Sequence, residues 1–213
     1  MLVLALDLTS KEKALEIVEK TKDFIDAIKV NYPIVLSCGI GIVKELSKVK
    51  PVIADFKIAD IPYTSSLIAE IAFKSGANAV ICHGFVGRDV LKEILRVAEN
   101  YDGKVYVVTE LTNDGAKEFM KPFARKIAEI AKEIGCHGLI APATKPERVK
   151  EVREVAKNLE ILSPGIGVQK GKLEEIARYV DGIIVGRSIY NADDPKGAAR
   201  EIKERFRKAK LTS

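Results

Sequence analysis

Eight short apolar runs recur at fairly even intervals along the 213 residues: Leu2–Leu6, Ile25–Val30, Val52–Phe56, Ala79–Cys82, Val105–Val108, Gly138–Ala141, Ile161–Ser163 and Gly182–Val185. Between them lie segments whose apolar residues repeat at helical spacing, such as Ala14, Leu15 and Val18 in the first and Phe123, Ile127, Ile130, Ala131 and Ile134 in the fifth. Strand and helix therefore alternate. The runs are mostly continuous rather than strictly alternating, as parallel strands covered on both faces require, so the pattern reads as repeated βαβ units. No linker or low-complexity stretch breaks it. Eight such units in little over 200 residues predict an α/β fold, a single (β/α)8 (TIM) barrel domain over residues 1–213 and near the lower size limit of that architecture. An open doubly wound sheet is the alternative, but Leu6, Asp7, Leu8 and Thr9 lead straight into the first helix with no GxGxxG fingerprint.

Composition narrows the partners. With 47% hydrophobic and 31% charged residues the chain can bury a core and stay well solvated. Its net charge of +5 is mild, and the charges interleave along amphipathic segments such as Lys150-Glu151-Val152-Arg153-Glu154. No basic block with interleaved aromatics forms, so nucleic acid is not expected as a partner. Three cysteines, Cys38, Cys82 and Cys136, make no disulfide framework and no CxxC pair, which predicts a reducing, cytoplasmic setting. The amino-terminal apolar run stops at Asp7, too short for a signal-peptide core, and no stretch is long enough to span a bilayer. Gln169 is the sole glutamine and tryptophan is absent while lysine and glutamate abound, a bias of proteins from hot environments.

Barrel active sites lie at the carboxyl ends of the strands, so polar residues there are the first candidates. Strand 1 ends in Asp7, strand 2 in Lys29, strand 3 in Asp55 and Lys57 with Asp60 just beyond, and strand 8 in Gly186 and Arg187. In a regular strand Asp55 and Lys57 point to one side, into the barrel, and Phe56 faces the helices. Taken singly, Asp7 or Asp60 is better explained as a helix cap and Lys29 as a solvated loop residue. Two inward charges together are costly to bury unless paired and used.

A second constellation comes late: Ser163, Pro164, Gly165, Ile166, Gly167, Val168 and Gln169 after strand 7, then Gly186, Arg187 and Ser188 after strand 8. Glycines that let N–H groups approach phosphoryl oxygens, together with an arginine fork, suit a phosphate group at this end of a barrel. A tight turn with a surface arginine is the plainer account. Two Cys-His pairs, Cys82-His83 and Cys136-His137, invite a metal, but the first ends strand 4 and the second precedes strand 6, so they belong at opposite ends of the barrel and no metal site is expected. His83 sits at the catalytic rim and is as readily structural as functional.

The segment Asp55-Phe56-Lys57-Ile58-Ala59-Asp60-Ile61-Pro62, with Thr64 following, resembles the DxKxxDIPxT signature of the orotidine 5'-phosphate decarboxylase family. Asp7, Lys29, the loop from Pro164 to Gln169 and Gly186-Arg187 fall in that family's order, so the resemblance covers nearly the whole chain. It implies conversion of orotidine 5'-monophosphate to uridine 5'-monophosphate and CO2, the last step of pyrimidine synthesis, without a cofactor. Lys57 would be the cation and proton donor at C6, flanked by Asp55 and Asp60, with Lys29 completing the array. Asp7 and Lys29 would bind ribose hydroxyls, Thr112 would contact the pyrimidine, Ile61 and Asp55 would be further substrate contacts, and Pro164, Gly165, Gln169, Gly186 and Arg187 would form the phosphate end. Asp60 and Thr64 would reach the partner's substrate in a homodimer. Two departures stand out: Thr112 takes the place of a usual serine, and the loop from Gly165 to Lys172 is short for a phosphate lid.

Magnesium-dependent sugar-phosphate decarboxylases and aldolases share DxKxxD but typically carry an acidic residue where Lys29 stands. A non-enzymatic phosphosugar-binding or RNA-binding barrel is the reading from a different class, prompted by the basic balance alone.

Overall fold

The computed structural model describes residues 1–168 and 172–212. Eight parallel strands, β1 (Leu2–Leu6), β2 (Ala27–Val30), β3 (Val52–Ile58), β4 (Ala79–His83), β5 (Lys104–Val108), β6 (Gly138–Ile140), β7 (Glu160–Pro164) and β8 (Gly182–Val185), hydrogen-bond in sequence order. β8 pairs back onto β1, with Leu2 opposite Ile183 and Leu4 opposite Val185, and the sheet closes as a (β/α)8 barrel. The predicted fold class is correct, and each apolar run became a strand with ends shifted by at most two residues.

Helices follow each strand. They are α1 (Lys11–Thr21), α2 (Tyr32–Cys38), α3 (Gly41–Ser47), α4 (Pro62–Lys74), α5 (Arg88–Glu99) and α6 (Ala116–Phe119), then α7 (Ala124–Glu133), α8 (Pro146–Ala156), α9 (Leu173–Ile176), α10 (Arg187–Tyr190) and α11 (Pro195–Leu211). Local chemistry sets their starts. Ser10 caps α1 by accepting the Lys13 N–H at 3.2 Å, Asp194 accepts the Gly197 N–H at the start of α11, and Pro62 takes the first position of α4. Among the described residues no helix is long and apolar enough to cross a membrane.

Period two divides each strand between two cores. Leu2, Leu4 and Leu6 face the helices in the larger cluster, together with Ile28, Val52, Ala54, Val80 and Val105. Val3, Ala5, Ala27, Ile53, Ile81, Tyr106, Val108, Leu162 and Ile184 fill the barrel axis. The inner set continues upward as Asp7 on β1, Lys29 on β2 and Asp55 on β3, so each inward row that begins in hydrocarbon ends in charge at the rim.

One strand departs from the expected regularity. β3 and β4 run in register at Ile53–Ala79 and Ala54–Val80, then resume at Ile58–Cys82, four steps on β3 against two on β4. Within that bulge Lys57 has φ +43°, in the left-handed region that a lysine rarely occupies. The expectation of a regular strand from Asp55 to Lys57 is therefore corrected. Phe56 nevertheless faces outward as predicted, stacked on Tyr32 with ring centroids 5.8 Å apart, and the Tyr32 hydroxyl donates to the Phe56 carbonyl.

At the opposite end Tyr106 plugs the axis and donates to Glu160, which also pairs with Lys104. A β-carbon on Gly138 would meet the Tyr106 ring at 2.5 Å and the Glu160 carbonyl oxygen at 2.6 Å. Gly138→Ala is expected to cost about 1–3 kcal/mol through this overpacking, a fall of very roughly 2–10 °C in thermal midpoint followed by circular dichroism. An unchanged midpoint would contradict the close packing of the barrel floor.

Candidate active site

Four charges stand in a row across the first three strand ends. Lys29 Nζ lies 3.6 Å from Asp7 Oδ1 and donates to Asp55 Oδ2 at 2.8 Å, and Lys57 Nζ donates to Asp55 Oδ1 and Oδ2 at 2.8 and 2.9 Å. The order is minus, plus, minus, plus. Lys29 and Asp55 side chains are only 7% and 6% exposed, whereas Lys57 retains 28% and faces the cleft. Two buried groups thus hold a third at the surface of the site.

Burial pushes the Asp55 carboxyl up, but the two ammonium groups outweigh it and hold the carboxyl below its ordinary range. For Lys29 burial pulls the other way, and Asp55 and Asp7 outweigh it to raise the ammonium above its usual value. Lys29 and Asp55 thus keep each other charged. His83, at the end of β4, is pushed down to about 4 by burial and by the nearby Lys57 ammonium, so it is neutral at physiological pH. Its ring packs on Phe85, and its Nδ1 is buried without a hydrogen-bond partner among the described residues.

The row forms one wall of a cleft of about 230 Å3 at the carboxyl ends of the strands. Of the residues singled out in the sequence, Asp7, Lys29, Asp55, Lys57, Thr112, Pro164, Gly165, Gly186 and Arg187 line it. Asp60, Ile61 and Thr64 are not brought to it within one chain. Asp60 Oδ1 accepts the Ile61 N–H at 2.7 Å, and Asp60, Ile61 and Pro62 line a separate shallow concavity with Val86, Asp89 and Val90. Gln169 lies outside the described residues. The Cys-His pairs are far apart in role: His137 Nδ1 accepts the Val105 N–H before β6, and Cys82 and Cys136 are buried as free thiols. Among the described residues no group of three or more His, Cys, Asp or Glu is disposed to hold a metal.

Sequence reasoning missed Glu110. It follows β5 on the inward row Tyr106, Val108, Glu110, lines the cleft and is fully buried. Lys145 donates to its Oε1 at 2.5 Å and Arg148 to its Oε2 at 3.1 Å, while Lys145 also reaches the Leu111 carbonyl and Arg148 the Lys121 carbonyl. These bonds anchor the segment carrying Leu111 and Thr112 to the start of α8. The signal that marks Glu110 is its position two residues past an inward Val108, which no local motif announces.

The array makes stability depend on pH in a defined direction. A carboxyl whose folded pKa lies below its unfolded value of about 4 contributes above that value and loses its contribution as pH falls through the folded one. Asp55→Asn should therefore be less stable than the natural protein by on the order of 3 kcal/mol near neutral pH, because Lys29 loses its buried partner. The gap should stay level from about pH 5 to 7 and narrow below about 4. Urea denaturation of both proteins across that range checks it, and a gap that persisted unchanged to pH 2 would show that Asp55 is not the ionised partner.

The chain matches the family model described as "Orotidine 5'-phosphate decarboxylase / HUMPS family" over residues 1–202. It is 52% identical over 205 residues to the orotidine 5'-phosphate decarboxylase of Methanosarcina mazei, covering 95% of this chain and 93% of that protein. To the enzyme of the same name from Methanocaldococcus jannaschii it is 47% identical over 212 residues, 97% of this chain and 99% of the relative. The crystal structure of orotidine 5'-monophosphate decarboxylase from M. jannaschii complexed with the inhibitor BMP superposes with a TM-score of 0.93, covering 96% of this chain and 97% of that one. The Pyrococcus horikoshii structure gives 0.90 at 42% identity, over 97% and 99% of the two chains.

Proposed function

Because the chain belongs to the orotidine 5'-phosphate decarboxylase / HUMPS family, we propose that it decarboxylates orotidine 5'-monophosphate to uridine 5'-monophosphate, in pyrimidine synthesis, with Lys57 as the central group. The observation that carries this reading is the row Asp7–Lys29–Asp55–Lys57 along the wall of the cleft. When the bond between C6 and the carboxylate breaks, CO2 leaves and the electron pair stays on C6 in the ring plane, where the π-system cannot spread it. Stabilisation must come from outside, and a fixed ammonium supplies it without reorganisation. Lys57 then gives a proton to C6 and regains one from solvent.

Asp55 sets the direction of Lys57 through two hydrogen bonds, and Lys29 helps keep Asp55 ionised. Thr112 and the segment held by Glu110 border the ring. Arg187, Gly186 and the loop at Pro164 and Gly165 take the phosphate, whose binding energy can hold the charged row in alignment because it lies away from the reacting carbon. No cofactor enters this scheme. The magnesium-dependent sugar-phosphate reading is disfavoured by the row itself: Lys29 already lies beside Asp7 and Asp55, occupying the carboxylates that a divalent ion would need.

We read the active unit as a homodimer of single-domain chains in the cytoplasm. Ile61, Tyr63 and Phe85 are 64%, 71% and 61% exposed around the segment that carries Asp60 and Thr64, an apolar surface suited to a second copy. Docked there, Asp60 and Thr64 can reach the partner's cleft, which neither approaches in its own chain.

Purified protein given orotidine 5'-monophosphate in the presence of EDTA should change the pyrimidine absorbance at the rate seen without chelator. Lys57→Ala should lower turnover at least about a thousandfold while the circular dichroism spectrum is retained. Near-normal turnover in the folded variant would sink the mechanism, and activity abolished by EDTA and restored by magnesium would favour the sugar-phosphate reading.

The shared site has its own test. Inactive Asp60→Ala and inactive Lys57→Ala proteins, mixed under subunit exchange, should regain about a quarter of natural activity, since half of the dimers are mixed and each holds one intact site of two. No recovery despite exchange verified by mass spectrometry would return Asp60 to its own subunit's site.

A further inference from the structure

We propose that Tyr32 is a positioning residue, a brace at the start of α2 that holds the backbone of Lys57 in the β3 bulge and so aims its ammonium into the cleft. Asp55, Phe56 and Lys57 are the least supported stretch of the rim. The ladder to β2 ends at Val30–Ala54, and the register to β4 passes from Ala54–Val80 directly to Ile58–Cys82, so these three residues have no registered partner on either side. Lys57 nevertheless sits at φ +43°, a conformation that costs energy in any residue with a side chain and persists only where the surroundings over-determine it.

Two contacts from Tyr32 meet that need. Its hydroxyl donates to the Phe56 carbonyl, the acceptor of the peptide that leads into Lys57, and its ring stacks on the Phe56 ring with the planes 21° from parallel. Because the peptide unit is planar, a bond to that carbonyl fixes the rotation of the whole Phe56–Lys57 plane, and with it the entry to the left-handed turn. Burial, and then the Asp55 carboxylate, push the Tyr32 phenol above its ordinary value, so it stays a donor. Tyr32 is itself fixed: Asn31 Oδ1 accepts its N–H at 2.7 Å, and Pro33 follows in the first turn of α2. One short segment therefore grips β3 twice, Lys29 through the Asp55 side chain and Tyr32 through the next residue's carbonyl. Asp55 orients the Lys57 head group, and Tyr32 orients the backbone from which it springs.

The kinetic test rests on the decarboxylase reading above and uses the full-length protein. Tyr32→Phe keeps the ring and removes the hydroxyl. It should lower kcat roughly fivefold, the net worth of one hydrogen bond, and leave KM and the affinity for uridine 5'-monophosphate unchanged, because the aim of Lys57 matters to the carbanion and not to the bound ground state. Tyr32→Leu, which also removes the stack, should lose more. In the Lys57→Ala background, where no ammonium remains to be aimed, Tyr32→Phe should cost nothing further. Natural kcat in Tyr32→Phe, a loss confined to KM, or the same proportional loss with and without Lys57 would each overturn the brace. A second test needs no substrate: on brief acylation with acetic anhydride read by mass spectrometry, the Lys57 amine, less firmly held by Asp55, should react faster in Tyr32→Phe than in the natural protein while surface lysines keep their rates. Unchanged labelling of Lys57 would also overturn the brace. If the natural protein left orotidine 5'-monophosphate unaltered, the decarboxylase reading would fail, and the labelling contrast would still decide for or against Tyr32.

Discussion

The buried pair of Lys29 and Asp55 is the interaction on which the rest of the rim depends. Neither charge is affordable alone at the mouth of a hydrocarbon-filled barrel, and together they bury well only because their bonding capacity is met on both flanks. Asp55 accepts from Lys57 on both oxygens and from Lys29 on Oδ2, and Lys29 has Asp7 on its other side. Removing Asp55 leaves the buried Lys29 with only Asp7, 3.6 Å away, for a partner. Such a row is also rigid, because each side chain is fixed by the one beside it, and a cation held in advance at one point is what a developing carbanion requires. Stability and chemistry therefore compete for the same residues. The left-handed backbone of Lys57, inside a bulge, is the local strain that this arrangement tolerates.

Around that row the barrel divides labour by strand number. The first three strands supply the charged wall, β5 and the start of α8 supply the buried Glu110 with Lys145 and Arg148, and β7 with β8 supplies the backbone and guanidinium of the phosphate end. The inner core beneath is made of small and branched residues such as Ala5, Ala27, Val3 and Ile53, narrow enough for the polar layer above to sit close to the axis. The outer core, with larger leucines and isoleucines, holds the helices and reaches the cleft at Ile166.

Much of this was legible before any coordinates. Eight apolar runs sufficed for the barrel, because a parallel strand covered on both faces leaves a continuous hydrophobic signature that a helix of this length does not. Asp7, Lys29, Asp55, Lys57 and Arg187 were legible as strand-end residues. What the sequence concealed was conformation and long-range partnership. Nothing in Asp-Phe-Lys announces a bulge or the positive φ of Lys57. Glu110 is silent because its partners, Lys145 and Arg148, lie more than thirty residues away and are themselves ordinary in composition. Tyr32 is equally silent, because its partner Phe56 stands on the next strand. Asp60, Ile61 and Thr64 mark the complementary case: their motif is conspicuous in the sequence, yet one chain alone gives them no place in the cleft.

The ladder between β1 and β8 joins the two ends of the sequence, Leu2 to Ile183 and Leu4 to Val185. During synthesis the first strand emerges long before its partner, and non-local pairings of this kind are the slow ones to form. Asp7, Lys29, Asp55 and Lys57 all precede the middle of the chain, whereas Gly186 and Arg187 arrive only with the last strand. A nascent chain can thus carry every residue of the charged row while lacking the β8 side of the cleft. Closing the seam is consequently also the event that completes the cleft, whose walls come from both ends of the sequence.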